Sequence, residues 1–171
     1  MDLKSKIRAV PDFPKPGILF YDITTLLADP EAFRVVIDRL AAPYAKQKID
    51  KIVGIESRGF IFGAPLAERL SIGFVPVRKP GKLPADFIEE SYDLEYGSNT
   101  LCIHKDAVSS GERVLVIDDL LATGGTMAAT AKLIQRLEGE IVALACVIEL
   151  LFLNGREKLK SHPVFSVLTY D

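Results

Sequence analysis

The chain has 171 residues, 49% of them hydrophobic and 26% charged, with a formal net charge of -2. That is the length of one ordinary domain and the composition of a globular one, which excludes a disordered, collagen-like or coiled-coil chain. With 21 Lys plus Arg against 23 Asp plus Glu there is no overall positive field for nucleic acid or an anionic membrane, so an anionic ligand must be met by a local cluster.

The N-terminus alternates charged and apolar residues and lacks the continuous apolar core of a signal peptide. Pro11, Pro14, Pro16, Gly17 and Pro30 then punctuate short apolar pieces, which predicts an extended arm. Asp29-Pro30-Glu31 is a helix start, with a capping carboxylate and Pro in the first turn. Phe33, Val36, Ile37, Leu40 and Tyr44 follow at helical spacing, as one buried face.

Ile52 to Ile55 is a short apolar run that stops at Glu56-Ser57-Arg58-Gly59, before a helix-like segment, Phe60 to Leu70, and a strand, Phe74 to Val77. Strand, loop, helix and strand in that order predict a parallel unit. Arg78, Lys79 and Lys82 then place three cations in five residues, among Pro80, Gly81 and Pro84. Residues 85–99 are polar and read as a mobile flap or exposed hairpin rather than as core. Leu101 to His104 is a strand candidate.

Val114 to Ile117 is fully apolar and, Leu115 apart, β-branched, and it runs into Asp118-Asp119 and a loop ending in Ala122-Thr123-Gly124-Gly125-Thr126. Met127, Ala131, Ile134 and Leu137 mark a helix, and Ile141 to Ile148 another buried strand, so this is a second βαβ unit. The tail holds an Asn154-Gly155 turn, a charged helix at Arg156 to Lys160 and a strand from Val164. Cys102 and Cys146 lie in apolar stretches without metal or redox spacing, which fits a reducing, cytoplasmic setting. The most apolar stretch, Ile141 to Leu153, contains Glu149 and falls short of the ~20 residues a membrane helix needs.

In an open parallel sheet, ligands bind where strands end and helices begin. Ala122 to Thr126 has the properties of a phosphate cradle: two glycines permit close approach, and Thr123 and Thr126 supply hydroxyl donors that can also cap the helix. Neither GxxxxGK[ST] nor GxGxxG occurs, so this is not a Walker loop or a dinucleotide fingerprint. The acid pair before the loop would repel a pyrophosphate yet suits a sugar diol, which needs acceptors. The combination implies a phosphate with a ribose attached. Taken singly, an acid pair can as well cap a turn and a glycine pair make an ordinary one.

The run Val114 to Thr126 resembles the phosphoribosyl pyrophosphate motif of the type I phosphoribosyltransferases, in the form taken by the adenine-using members. Three further segments agree in order: Glu56 to Gly59 is similar to that family's pyrophosphate loop, Arg78 to Pro84 to its basic loop, and Tyr92 to Gly97 to its catalytic flap, while Pro11 to Leu27 is similar to its purine-covering hood. The resemblance implies an α/β fold over 1–171: a Rossmann-like parallel sheet flanked by helices, with a small hood at about 8–28 and a flap at about 82–100.

It also implies roles. The 5'-phosphate falls to Ala122, Thr123, Gly124, Gly125 and Thr126, the ribose hydroxyls to Asp118 and Asp119, and pyrophosphate to Ser57, Arg58, Arg78, Lys79 and Lys82. Adenine falls to Leu19, Phe20, Tyr21 and Leu120; Glu95 and Arg58 are the catalytic candidates, and Tyr96 helps close the flap. Pro80 stands where some relatives carry another cation, and Tyr21 where some carry arginine. The implied reaction is adenine plus 5-phosphoribosyl 1-pyrophosphate giving AMP plus pyrophosphate, with Mg2+ held mainly through substrate and water. A homodimer follows from the basic loop, which in the family reaches a neighbouring subunit's site; no nucleic acid or membrane partner is expected. Ala122 occupies the loop position where enzymes using 6-oxopurines carry an acid, which favours adenine. The alternatives are a xanthine or other nucleobase transferase and a non-catalytic regulator that senses phosphoribosyl pyrophosphate; the latter class usually adds a DNA-binding domain or basic face, which this chain lacks.

Overall fold

Apolar strands without a polar face must be covered on both sides, and the two βαβ patterns place them in a five-stranded sheet. The computed structural model describes residues 1–94 and 96–171, in two compact units, 1–39 and 40–171.

In the first unit, β1 (Arg8–Pro11) pairs antiparallel with β2 (Leu19–Asp22), and α1 (Thr24–Leu27) follows. The expected extended arm is therefore a hairpin and a helical turn: Asp12 Oδ1 accepts from Gly17 N–H at 2.8 Å and closes the Pro-rich bend. The helix α2 (Pro30–Ala41) starts as expected, with Asp29 Oδ1 accepting from Glu31 and Ala32 N–H at 3.0 and 3.1 Å.

In the second unit the sheet runs β4-β3-β7-β8-β9, entirely parallel, from β3 (Lys51–Ile55), β4 (Gly73–Val77), β7 (Arg113–Leu121), β8 (Glu140–Leu150) and β9 (Val164–Tyr170). Helix α3 (Arg58–Leu70) joins β3 to β4, and α4 (Gly125–Arg136) joins β7 to β8. Alternation sorts the side chains: Val114 and Val116 share a cluster with Met127, Leu133 and Ile134 of α4, whereas Leu115 and Ile117, equally buried, fall outside it and point to the other face.

The polar segment forms the expected hairpin, β5 (Phe87–Asp93) paired with β6 (Ser98–His104), with alternate residues of β5 half-buried rather than solvated. Leu101 and Ile103 are buried in the α4 cluster, with Ile88 and Tyr92 packed against it. Arg136 fastens the hairpin to α4 by donating to the Glu89 carbonyl at 2.6 Å and to Glu90 at 3.2 Å. At its base, Arg78 and Cys102 exchange both backbone hydrogen bonds. Cys102 and Cys146 are buried free thiols.

Candidate active site

Strand β7 lies between β3, which pairs with it as far as Ile117, and β8, which keeps its backbone extended past the apolar run. This moves the acid pair: Asp118 and Asp119 lie within a strand rather than between strand and loop, and pairing with β8 continues through Leu121. They are only 9% and 8% exposed. Burial, with the neighbouring Asp119 charge second, pushes the Asp118 carboxyl well above the ordinary carboxylate range; Asp118 Oδ1 accepts from Asp119 N–H at 2.8 Å.

On the adjacent strand, β3 ends at Ile55, Glu56 and Ser57 follow, joined by a cis peptide bond, and Arg58 opens α3. Arg58 Nε donates to Asp119 Oδ2 at 2.5 Å, with half of the Arg58 side chain exposed. The helix reaches this close because residue 59 has no side chain: a Cβ there would lie 2.9 Å from the Ile117 carbonyl and 3.1 Å from Asp118 Oδ1.

The cations after β4 converge on Glu56, to which the sequence reading assigns no role. Lys82 Nζ donates to Oε1 at 2.6 Å, Arg78 Nε and Nη2 to the carboxylate at 3.3 Å each, and Lys79 N–H to Oε2 at 3.0 Å. Burial alone would raise the Glu56 carboxyl, but the bonds from Lys82, Lys79 and Arg78 outweigh it and hold the group down at about 2.

Past β7, Gly124 takes a left-handed conformation (φ 85°) as the N-cap of α4, and no side chain caps the helix. The expected capping by Thr123 or Thr126 does not occur: Thr126 Oγ1 instead bonds the Tyr92 hydroxyl of β5 at 3.0 Å, and Asn99 of β6 donates to the same hydroxyl at 3.4 Å. First-turn N–H groups of α4 thus stay available at the positive end of its dipole.

These segments enclose a cavity of about 350 Å³ lined by Ser57, Arg58 and Lys79 on one side and Asp118 to Leu120 and Ala122 to Thr126 on the other, with Tyr92 and Asn99 over it. The structure thus brings together the expected phosphate, ribose and pyrophosphate residues, with Arg78 and Lys82 joined to the site through Glu56. Leu120 is half-buried at the cavity. Leu19, Phe20 and Tyr21 lie on β2 of the N-terminal unit. Tyr96, 84% exposed, makes no wall of the cavity. Glu95 lies outside the described residues. Glu56 and Tyr92, which lie in the expected pyrophosphate loop and flap, and Asn99 are cavity residues to which the sequence alone assigned no individual role.

A parallel sheet with a cradle, an acid pair and a cationic loop at its carboxyl edge is the architecture of a type I phosphoribosyltransferase. The sequence pattern of the "Phosphoribosyl transferase domain" matches residues 22–171. An adenine phosphoribosyltransferase of Solibacter usitatus is 61% identical over 170 residues, 99% of this chain and 98% of that protein. Among solved structures, the enzyme of that name from Thermoanaerobacter pseudethanolicus superposes with a TM-score of 0.95 at 52% identity, covering 99% of this chain and 98% of the other. The Saccharomyces cerevisiae one, complexed with D-2,5-dideoxy-2,5-imino-altritol 1,6-bisphosphate and adenine, gives 0.93 at 44% identity, covering 98% and 97%. The chain belongs to the adenine phosphoribosyltransferase family.

Among the described residues no group of three or more His, Cys, Asp or Glu is placed to cage a metal ion. The acid pair at the cavity fits a hard cation that takes its other ligands from substrate oxygens and water.

Proposed function

We propose that this chain transfers the 5-phosphoribosyl group of 5-phosphoribosyl 1-pyrophosphate to adenine, giving AMP and pyrophosphate, as a purine-salvage enzyme. The observation that carries the reading is a cavity in which a glycine cradle at a helix N-terminus faces a carboxylate pair and the cations Arg58 and Lys79. Those groups match phosphate, ribose and pyrophosphate in the order in which the substrate carries them.

Displacement at the anomeric carbon builds positive charge on the ribose and negative charge on the leaving pyrophosphate, so stabilisation is electrostatic. Ala122 to Thr126 hold the 5'-phosphate through backbone N–H groups and the Thr hydroxyls. Asp118 and Asp119 accept from the ribose hydroxyls. Arg58 is half exposed, so it can exchange Asp119 for pyrophosphate, which frees the Asp119 carboxylate for the sugar. Arg78, Lys79 and Lys82, gathered by Glu56, and the Ser57 hydroxyl complete the pyrophosphate end. Mg2+ would be held mainly through substrate oxygens and water beside Asp118 and Asp119, and would supply positive charge to the leaving pyrophosphate. Leu120 contacts the purine, to which the family resemblance adds Leu19, Phe20 and Tyr21. Glu95 acts at the purine by holding a ring-nitrogen proton or the developing charge, and Tyr96 closes the flap. The same reading takes the 171 residues as one catalytic domain with hood and flap, working as a cytoplasmic homodimer.

Turnover measured across a panel of nucleobases with 5-phosphoribosyl 1-pyrophosphate and Mg2+ tests the reading. AMP formation from adenine is expected, with hypoxanthine, guanine and xanthine poor; turnover of xanthine with none of adenine overturns it.

A further inference from the structure

A buried carboxylate outside the cavity organises the back of the phosphate loop. Glu149, near the end of β8, has a side chain only 4% exposed. Arg156 grips it with two bonds, Nε to Oε1 at 2.6 Å and Nη2 to Oε2 at 2.7 Å, and the Ser166 hydroxyl of β9 donates to Oε2 at 2.7 Å. Arg156 also donates to the Val164 carbonyl at 3.2 Å. Bidentate guanidinium–carboxylate pairs fix direction as well as distance, so the start of the 3-10 turn Gly155–Leu159 is tied to β8 and β9. The turn has no room to shift. Gly155 is packed on the cradle so tightly that a Cβ on Gly124 would collide with the Gly155 carbonyl, and a Cβ on Gly155 would collide with the Ala122 carbonyl and lie 2.9 Å from a Leu121 methyl. Asn154, at φ 52°, makes the sharp bend that delivers Gly155 there.

We infer that Glu149, Arg156 and Ser166 are positioning residues for the 5'-phosphate: their ion pair sets Gly155 as the rigid floor against which the Ala122–Gly124 backbone is shaped. The inference rests on the assignment of that loop to the 5'-phosphate. None of the three side chains lines the cavity, so their effect passes through the loop backbone.

The test compares Glu149→Ala, Glu149→Gln, Ser166→Ala and Gly155→Ala, with Thr123→Ala as a direct loop variant. The readouts are the dissociation constant for 5-phosphoribosyl 1-pyrophosphate by calorimetry, KM for adenine and kcat at saturating cosubstrate, and Tm. Because small displacements of a positioned group cost up to ~100-fold, Glu149→Ala and Gly155→Ala are expected to weaken phosphoribosyl pyrophosphate binding by at least about tenfold, with KM for adenine and kcat within about twofold. Glu149→Gln, which keeps shape and one acceptor, falls between wild type and Glu149→Ala. Ser166→Ala loses one bond and remains informative should Glu149→Ala fail to fold: it is expected to weaken binding about threefold. Unchanged affinity in Gly155→Ala and Ser166→Ala, or all constants declining together in step with Tm, overturns the inference. If Thr123→Ala weakens binding while those two do not, the phosphate assignment stands and the inference alone falls. If Thr123→Ala and all the other variants leave affinity unchanged, the assignment falls and the inference with it.

Discussion

The hydroxyl of Tyr92 sits 3.0 Å from that of Thr126, joining the β5–β6 hairpin to the loop that begins α4. The Tyr92 ring also covers Gly125, where a Cβ would lie 2.9 Å from it. The hairpin therefore touches the glycine loop at the start of α4. Tyr92→Phe keeps the ring and deletes only the bond that orients the Thr126 hydroxyl. A net hydrogen bond of ~0.5–1.5 kcal/mol sets the scale, so affinity for 5-phosphoribosyl 1-pyrophosphate should fall roughly 2- to 10-fold in a calorimetric titration. Wild-type affinity would show that Thr126 needs no such orientation.

Asp119 has two suitors, Arg58 in the structure and the ribose in the proposed complex. Asp119→Ala removes a charged acceptor worth ~1.5–3 kcal/mol and leaves Arg58 without its carboxylate, so binding of the sugar substrate should weaken roughly 10- to 100-fold. Unchanged affinity in the same titration counts against the ribose assignment.

Asp118 is kept in its place at a cost to folding. Its carboxyl is buried and faces the Asp119 charge, both of which disfavour ionisation. Asp118→Asn keeps an oxygen for the Asp119 N–H and removes the buried charge, so the variant should be more stable by about 1 kcal/mol at neutral pH while binding the sugar substrate more weakly. Thermal unfolding with and without substrate reads both effects; a destabilised variant would refute the account.

Glu56 ties stability to pH. Its carboxyl is held at about 2 in the folded protein, below the ordinary 4.5, so the folded state binds fewer protons than the unfolded one. Its contribution is therefore fully present above about pH 4.5 and is lost as pH falls from there toward 2. Denaturant unfolding at a series of pH values should show this slope in wild type and a flatter one in Glu56→Gln. Equal slopes would mean that the cation cluster does not depend on the Glu56 charge.

Glu95 is tested by kinetics. If it holds a purine proton or the developing charge, Glu95→Gln should lower kcat by ~100-fold or more, the range for a positioned acid or base, and leave substrate affinity largely intact. Wild-type turnover would remove it from the mechanism.

Local signals and long-range ones divided cleanly in this chain. The apolar run Val114 to Ile117, the Gly124-Gly125 pair and the Asp29 cap are properties of neighbouring residues, and each is where the sequence places it. The errors came from partners distant in sequence. Asp118 and Asp119 look like residues beyond the strand's end until β8 is known to pair as far as Leu121. Thr126 looks like a cap until Tyr92, 34 positions earlier, takes its hydroxyl. Residues 85–99 look solvated because alternate side chains are polar, yet Ile88 and Tyr92 pack against the α4 cluster. Glu56 and Glu149 share this character: each is an ordinary acid by sequence, and becomes a hub only when cations more than six residues away fold onto it.

The missing side chain at position 59 lets the start of α3 rest directly on the end of β7. The two half-sites then stand on neighbouring parallel strands, whose separation of about 4.8 Å is dictated by backbone hydrogen bonding rather than by any side chain. The sheet thus works as a gauge block: it sets the spacing between the Arg58 and Asp119 side chains that rise from its edge. A side chain at 59 would press on the Ile117 carbonyl and Asp118 backbone, so α3 would have to back away from β7 and carry Arg58 with it.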